Sequence, residues 1–258
     1  MQKIAVHAAL SLVLSIAAWA QVEANPGRPT VSTPATLTPV GCFQFETGVL
    51  NALHSGEFSR RFGFTEVVKF APIERLQLLA QAEPFVQSHI ESGLDRHPGD
   101  LSLGLQGVVV KGEGHRPTVA LSYFRRVYSG PATDVDIGAN RQSALLLVSF
   151  DAGGFHFDTN AIVTEQIEEP RHRAQFGQTL SVSHPLAHHI GISGEIWHFT
   201  QPLIHSNAIG ALFATSYALK KNLVLDGGFN RGLTSSSTHW EAFAGFTYLV
   251  PKRLWFMR

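Results

Sequence analysis

The chain has 258 residues, with twenty Lys plus Arg against twenty Asp plus Glu, so no global basic field marks it for nucleic acid. Its single cysteine, Cys42, excludes an intramolecular disulfide framework, and stability must come from burial or from a bilayer.

At the N-terminus, Lys3 precedes an apolar run from Ile4 to Trp19 that ends in the small-residue site Ala18-Trp19-Ala20. That order is a secretory signal peptide over 1–20, and the run is short for a membrane helix of roughly 20 residues. Residues 21–40 carry Pro26, Pro29, Pro34 and Pro39 among Thr and Ser, and they read as an extended periplasmic segment. The same prolines separate Cys42 from the apolar run, which fits a buried or lipid-facing thiol better than an acylated one.

From Cys42 onward the apolar period is two, as in Phe155-His156-Phe157-Asp158-Thr159-Asn160-Ala161-Ile162-Val163-Thr164. Such segments fall near 41–53, 58–71, 75–87, 99–111, 117–129, 141–151, 155–166, 174–185, 190–200, 207–219, 222–233 and 238–250. An even number of about twelve strands with one apolar face predicts an all-β fold, a transmembrane up-and-down antiparallel β-barrel over 41–250. The connections on the side of the termini are short, as at 72–74, 112–116, 153–154, 186–189 and 220–221. On the other side 88–98, 130–140 and 167–173 are longer and more polar, the loop arrangement of a barrel in the outer membrane of a Gram-negative-type cell. A tail, 251–258, follows the last strand.

The run Pro39-Val40-Gly41-Cys42-Phe43-Gln44-Phe45-Glu46-Thr47-Gly48 resembles the opening strand of a family of outer-membrane transporters described as "putative MetA-pathway of phenol degradation". Four further runs resemble the family in order: Lys69 to Leu78, Gly99 to Leu105, Gly194-Glu195-Ile196, and Leu225 to Leu233. Two features depart from its pattern. Cys42 stands where a polar or aromatic residue is expected, and the tail displaces inward the terminal signal seen in Phe243-x-Gly245-x-x-Tyr248-x-Val250.

Strand alternation puts Glu46, Arg61, Lys69, Gln81, Glu83, Asp100, Arg126, Asp158, Glu195, Asp226 and Glu241 on the polar face, with Trp197 among its aromatic residues. In a closed barrel that face is the lumen, because a charge near the midplane of the lipid face costs about 2–4 kcal/mol. Arg61, Lys69 and Arg126 stand against Glu46, Glu83 and Glu195, which suits an internal salt-bridged network as well as a lined path. Phe124, Trp197 and Phe243 are expected to narrow the bore and, with the resemblance, to meet a hydrophobic or aromatic solute.

Thirteen histidines include the cluster His184-Pro185-Leu186-Ala187-His188-His189, which falls in a short turn without a completing ligand set and reads as a polar turn. The pairs Ser183-His184 and His205-Ser206 put consecutive residues on opposite strand faces, and no Gly-x-Ser-x-Gly, Walker A or Rossmann motif is present. The expectation is a monomeric, cofactor-free passive channel for a small solute. Its partners are outer-membrane lipid and the barrel-assembly machinery. An outer-membrane lipid hydrolase and an adhesive barrel whose loops bind a partner remain the alternatives.

Overall fold

A computed structural model of the chain describes residues 23–251 apart from 115, 136–139, 169 and 188. The expected signal peptide, and all but Pro251 of the expected tail, lie outside the described residues. Thirteen strands are present among those described: β1 (Phe43–Leu53), β2 (Arg60–Ile73), β3 (Leu76–Ile90), β4 (Gly93–His97), β5 (Leu101–Val110), β6 (Thr118–Tyr128) and β7 (Asn140–Ala152). They continue as β8 (Phe155–Glu168), β9 (Arg171–Ala187), β10 (Ile190–Gln201), β11 (Ser206–Lys220), β12 (Leu223–Gly232) and β13 (Trp240–Leu249).

Twelve of these close into an antiparallel ring in chain order, in which β3 pairs with β5 and β13 returns to β1 from Gln44↔Leu249 to Leu53↔Trp240. Closure leaves the ring no open edge, the condition for placing strands in lipid. The outward positions are apolar and exposed, among them Leu105, Leu121, Phe176, Leu180, Ile196, Phe213, Phe229 and Phe246. This apolar belt around a closed wall makes the molecule a transmembrane barrel.

At the end carrying the termini, the periplasmic end in this fold, four turns leave two residues between strands, at 74–75, 153–154, 188–189 and 221–222, while 111–117 is longer. Gly153 and Gly154 both have positive φ, 60° and 85°, as a two-residue hairpin of matching twist requires. At the opposite, extracellular end, the expected loop 88–98 is replaced by a hairpin in which β3 runs on to Ile90 and pairs with β4 from Val86↔His97 to Ile90↔Gly93. Above the bilayer no lipid face demands alternation, so the sequence hides this pairing. Residues 98–100 then separate β4 from β5, beside Pro84, which has no N–H to give the ladder.

The segment expected outside the barrel is inside it. Residues 23–41 cross the enclosed space and bond to side chains of β1, β3, β5, β7, β8, β9, β10 and β12. The proline-rich backbone belongs to no ladder, so its N–H and C=O groups must find partners elsewhere, and the polar inner wall supplies them. Cys42, at the end of this segment, is fully buried and forms no disulfide.

Candidate functional site

The lumen is organised in three levels. At the periplasmic level, Glu46 lies 2.5 Å from Lys69 Nζ and accepts from the Gly27 N–H at 2.9 Å, while Gln44 binds Asn25 in both directions. Arg28 reaches across to Asp226, with its Nη2 3.1 Å from Oδ1. A Cβ on Gly48 would lie 2.5 Å from three guanidinium atoms of Arg28, so only glycine leaves the arginine room there.

Further along the segment, Glu195 accepts from the N–H groups of Val31 and Ser32 and from the Ser32 hydroxyl, at 2.6, 2.7 and 2.6 Å. Asn160 clamps Thr33 by accepting its N–H and donating to its carbonyl. The Ala35 N–H donates to Ser149, whose hydroxyl donates in turn to Asp158. Ala35 packs with Val108, Ala120 and Leu147 in a small apolar cluster. Beside the segment a vestibule of about 380 Å³ remains, bordered by Arg28, Pro29, His156, Asp158, Ser181 and Ser183.

At the middle level Trp197, Phe199, Ala208 and Ile162 form a second apolar cluster. The Trp197 indole donates to Asn230, which donates to Glu241. Three inner aromatics face glycines directly across the ladder: Trp197↔Gly210, Phe199↔Gly177 and Phe124↔Gly104. A Cβ on those glycines would lie 2.2, 2.3 and 2.5 Å from the rings, so each ring lies against the wall. The expectation that Phe124 and Trp197 narrow the bore is corrected accordingly. The glycines let the rings lie back instead of projecting.

The extracellular level is held by ion pairs. Arg61, 1% exposed, lies 2.7 Å from Glu83 and donates to the Thr133 carbonyl, and Arg126 Nη1 lies 2.8 Å from Asp100. Residues 129–135 thereby fold in over β2 and β3, with Gly130 donating to Asp100 and the Ser88 and Thr133 hydroxyls in contact. Asp134 in this loop has its pKa raised to about 6, mainly by burial and then by the nearby carboxylates Asp100, Glu57 and Glu83. Gln81 sits on β3 between Val67 and Ser102, half-buried. His239 lies exposed in the loop before β13, with its ring near His54.

A model of the family "Putative MetA-pathway of phenol degradation" matches residues 26–250. The chain belongs to this family. The match begins within the lumen segment, so the family's shared sequence covers both wall and segment. Among curated proteins, none matches the chain. Solved structures share the fold at low identity. An outer membrane channel from Pseudomonas putida F1 superposes with a TM-score of 0.60 at 13% identity, covering 88% of this chain and 100% of that one. The NanC porin gives 0.56 at 8%, over 78% and 98% of the two chains, and the KdgM porin 0.53 at 11%, over 80% and 98%.

The residues that alternation alone does not reveal are Arg28, Ser32 and Thr33, which lie in no strand. Their only signal is that they lie in a Ser/Thr/Pro-rich stretch directly ahead of the first strand of the wall. Of the two possible dyads, Ser183 faces inward opposite His156, while His184 turns outward against Phe155. Both nitrogens of His156 are engaged by carboxylates, Nδ1 at 2.7 Å from Asp151 and Nε2 at 3.3 Å from Asp158. In this arrangement His156 has no nitrogen left to activate Ser183. Of the histidine cluster, His188 lies outside the described residues, and His184 and His189 pack against different aromatic rings, Phe155 and Tyr217.

Proposed function

We propose that the protein is a passive outer-membrane channel for a small solute, hydrophobic or aromatic, and that residues 23–41 are its removable constriction. The observation that carries this reading is how the segment is held: side-chain hydrogen bonds to the wall dominate, not a continuous packed core. Such bonds exchange for water at modest net cost, about 0.5–1.5 kcal/mol each for the neutral partners Asn160 and Ser149 and about 1.5–3 kcal/mol each for the carboxylates of Glu46 and Glu195. The vestibule opens beside the segment at the end carrying the termini, and further along the inner wall the Trp197 and Phe199 cluster offers faces that suit an apolar or aromatic solute. Along the proposed path, which Gln81 also lines, Glu46 pairs with Lys69, Arg61 with Glu83, Arg126 with Asp100, and Asp226 with Arg28 of the segment, while Glu195 holds the segment's backbone, Asp158 takes up Ser149 and Glu241 takes up Asn230, so no strong charge selection is expected.

In the same reading the chain is exported by cleavage after Ala20, inserted by the barrel-assembly machinery, and works as a monomer without a cofactor. The structural relatives described above are an outer membrane channel and two porins, and they support this use of the fold. The test is planar-bilayer recording of the folded chain with and without residues 23–40. Conductance that rises on removal and is blocked by benzoate supports the proposal. Folded protein without conductance in either form removes it.

A further inference from the structure

The wall closes where β1 meets β13, and the last ladder pair at the extracellular end of that seam is Leu53↔Trp240. One step beyond it, the His239 N–H donates to the His54 carbonyl at 2.9 Å, so two histidines stand opposite each other across the seam. Their rings meet with centroids 5.9 Å apart and planes 34° apart. Both residues are exposed, and among the described residues neither imidazole has a hydrogen-bond or ion-pair partner.

The backbone fixes this pair from several sides. His54 has φ 58°, a left-handed conformation uncommon for a residue with a side chain, and its N–H donates to the Ser59 carbonyl at 2.9 Å. The His239 carbonyl accepts from the Gly232 N–H at 3.2 Å and from Arg231 Nη1 at 2.8 Å. A glycine would take the His54 conformation without strain, yet the position carries an imidazole. Held backbones with unengaged rings are what a pair of ligands needs.

Neutral imidazole is a ligand for Zn²⁺, Cu²⁺ and Ni²⁺. With an ion about 2.0–2.1 Å from one nitrogen of each ring, and each centroid about 1.15 Å further on, the centroids stand about 5.2 Å apart at the tetrahedral angle and about 6.4 Å apart in line. The observed 5.9 Å lies between these limits. We infer that His54 and His239 form a binding site for one divalent transition-metal ion, Cu²⁺, Ni²⁺ or Zn²⁺, which staples the first strand of the wall to the last. Two ligands come from the chain and water fills the other positions. Exposure gives the ion a direct path from the outside medium.

The test is titration of the full, untagged, folded chain in detergent with Cu²⁺, read by electron paramagnetic resonance, and with Zn²⁺, read by calorimetry. Heat-modifiable gel mobility checks that each barrel is closed. The unaltered chain takes up one ion, and its Cu²⁺ spectrum shows two coupled imidazole nitrogens. His239→Ala and His54→Asn, the latter tolerant of the left-handed turn, each lower the affinity by at least about the tenfold that losing a mere supporting partner costs. Zn²⁺ also raises the urea midpoint of the unaltered chain by mass action and leaves that of the two variants unmoved. His184→Ala/His189→Ala, at the opposite end of the barrel, keeps the ion. Absence of a saturable ion in the unaltered chain overturns the site, as does affinity unchanged in His54→Asn and His239→Ala or lost in His184→Ala/His189→Ala.

Discussion

The backbone N–H and hydroxyl of Ser32 both donate to one oxygen of Glu195, at 2.7 and 2.6 Å, although 163 positions separate the two residues in sequence. The other carboxylate oxygen takes the Val31 N–H at 2.6 Å, so a single wall residue holds two consecutive backbone units of the lumen segment.

Glu195→Ala is therefore expected to free the segment without opening the wall. Hydrogen bonds to a charged acceptor contribute about 1.5–3 kcal/mol each, and losing even one such bond shifts an open–closed equilibrium by about tenfold or more. Planar-bilayer recordings check this through the open fraction, and limited proteolysis checks it through cleavage between 23 and 41. An unchanged open fraction with intact protection would mean that Glu195 is incidental to closure.

Gly48→Ala tests the second anchor. The added Cβ collides with the guanidinium of Arg28, which must then leave Asp226 and Thr65. The expected phenotype equals that of Arg28→Ala, and the double variant should be no worse than either single one, the signature of two changes acting on one contact. Additive effects on conductance would place Gly48 outside the Arg28 interaction.

The wall was readable in the sequence because lipid and lumen impose opposite demands on consecutive residues. The stretch from Phe155 to Thr164 alternates for that reason and folds as most of β8. The family match over 26–250 agrees with the resemblance seen in the Gly41 to Gly48 and Leu225 to Leu233 runs. Where that double demand ends, the pattern ends. The β3–β4 hairpin stands above the bilayer and was hidden in a polar stretch, with Gln87↔Arg96 and Ser88↔Asp95 as cross-strand pairs. The lumen segment was hidden for a different reason. It has no regular backbone, and partners such as Asp226 and Glu195 become its neighbours only once the ring closes.

Gly210→Ala is expected to push the Trp197 indole off the wall, since the new methyl would lie 2.2 Å from it. Overpacking of this kind costs about 1–3 kcal/mol, read as a lower urea midpoint for unfolding. The displaced ring also enters the bore, so single-channel conductance should fall in the form lacking residues 23–40. Trp197→Ala in the same background should restore it. A conductance that ignores both substitutions would show that the Trp197 level does not limit the path.

Asp134 gives a pH dependence with a definite sign. In the folded-in loop its pKa is about 6, against 3.8 for a free carboxyl, because burial and the carboxylates of Asp100, Glu57 and Glu83 disfavour its charge. Between these values the folded-in loop holds a proton that the released loop does not. Raising pH from about 4 to 6 therefore weakens closure, and above 6, where both forms are ionised, no further change follows from this group. Arg126 opposes the shift and Arg61 holds the Thr133 carbonyl throughout, so the loop loosens without leaving the mouth. A spin label at Ala132→Cys should be immobile near pH 4 and progressively mobile up to pH 6. Asp134→Asn, which cannot ionise, should keep it immobile across that range. A label that loosens equally in the Asn variant would assign the transition to another group.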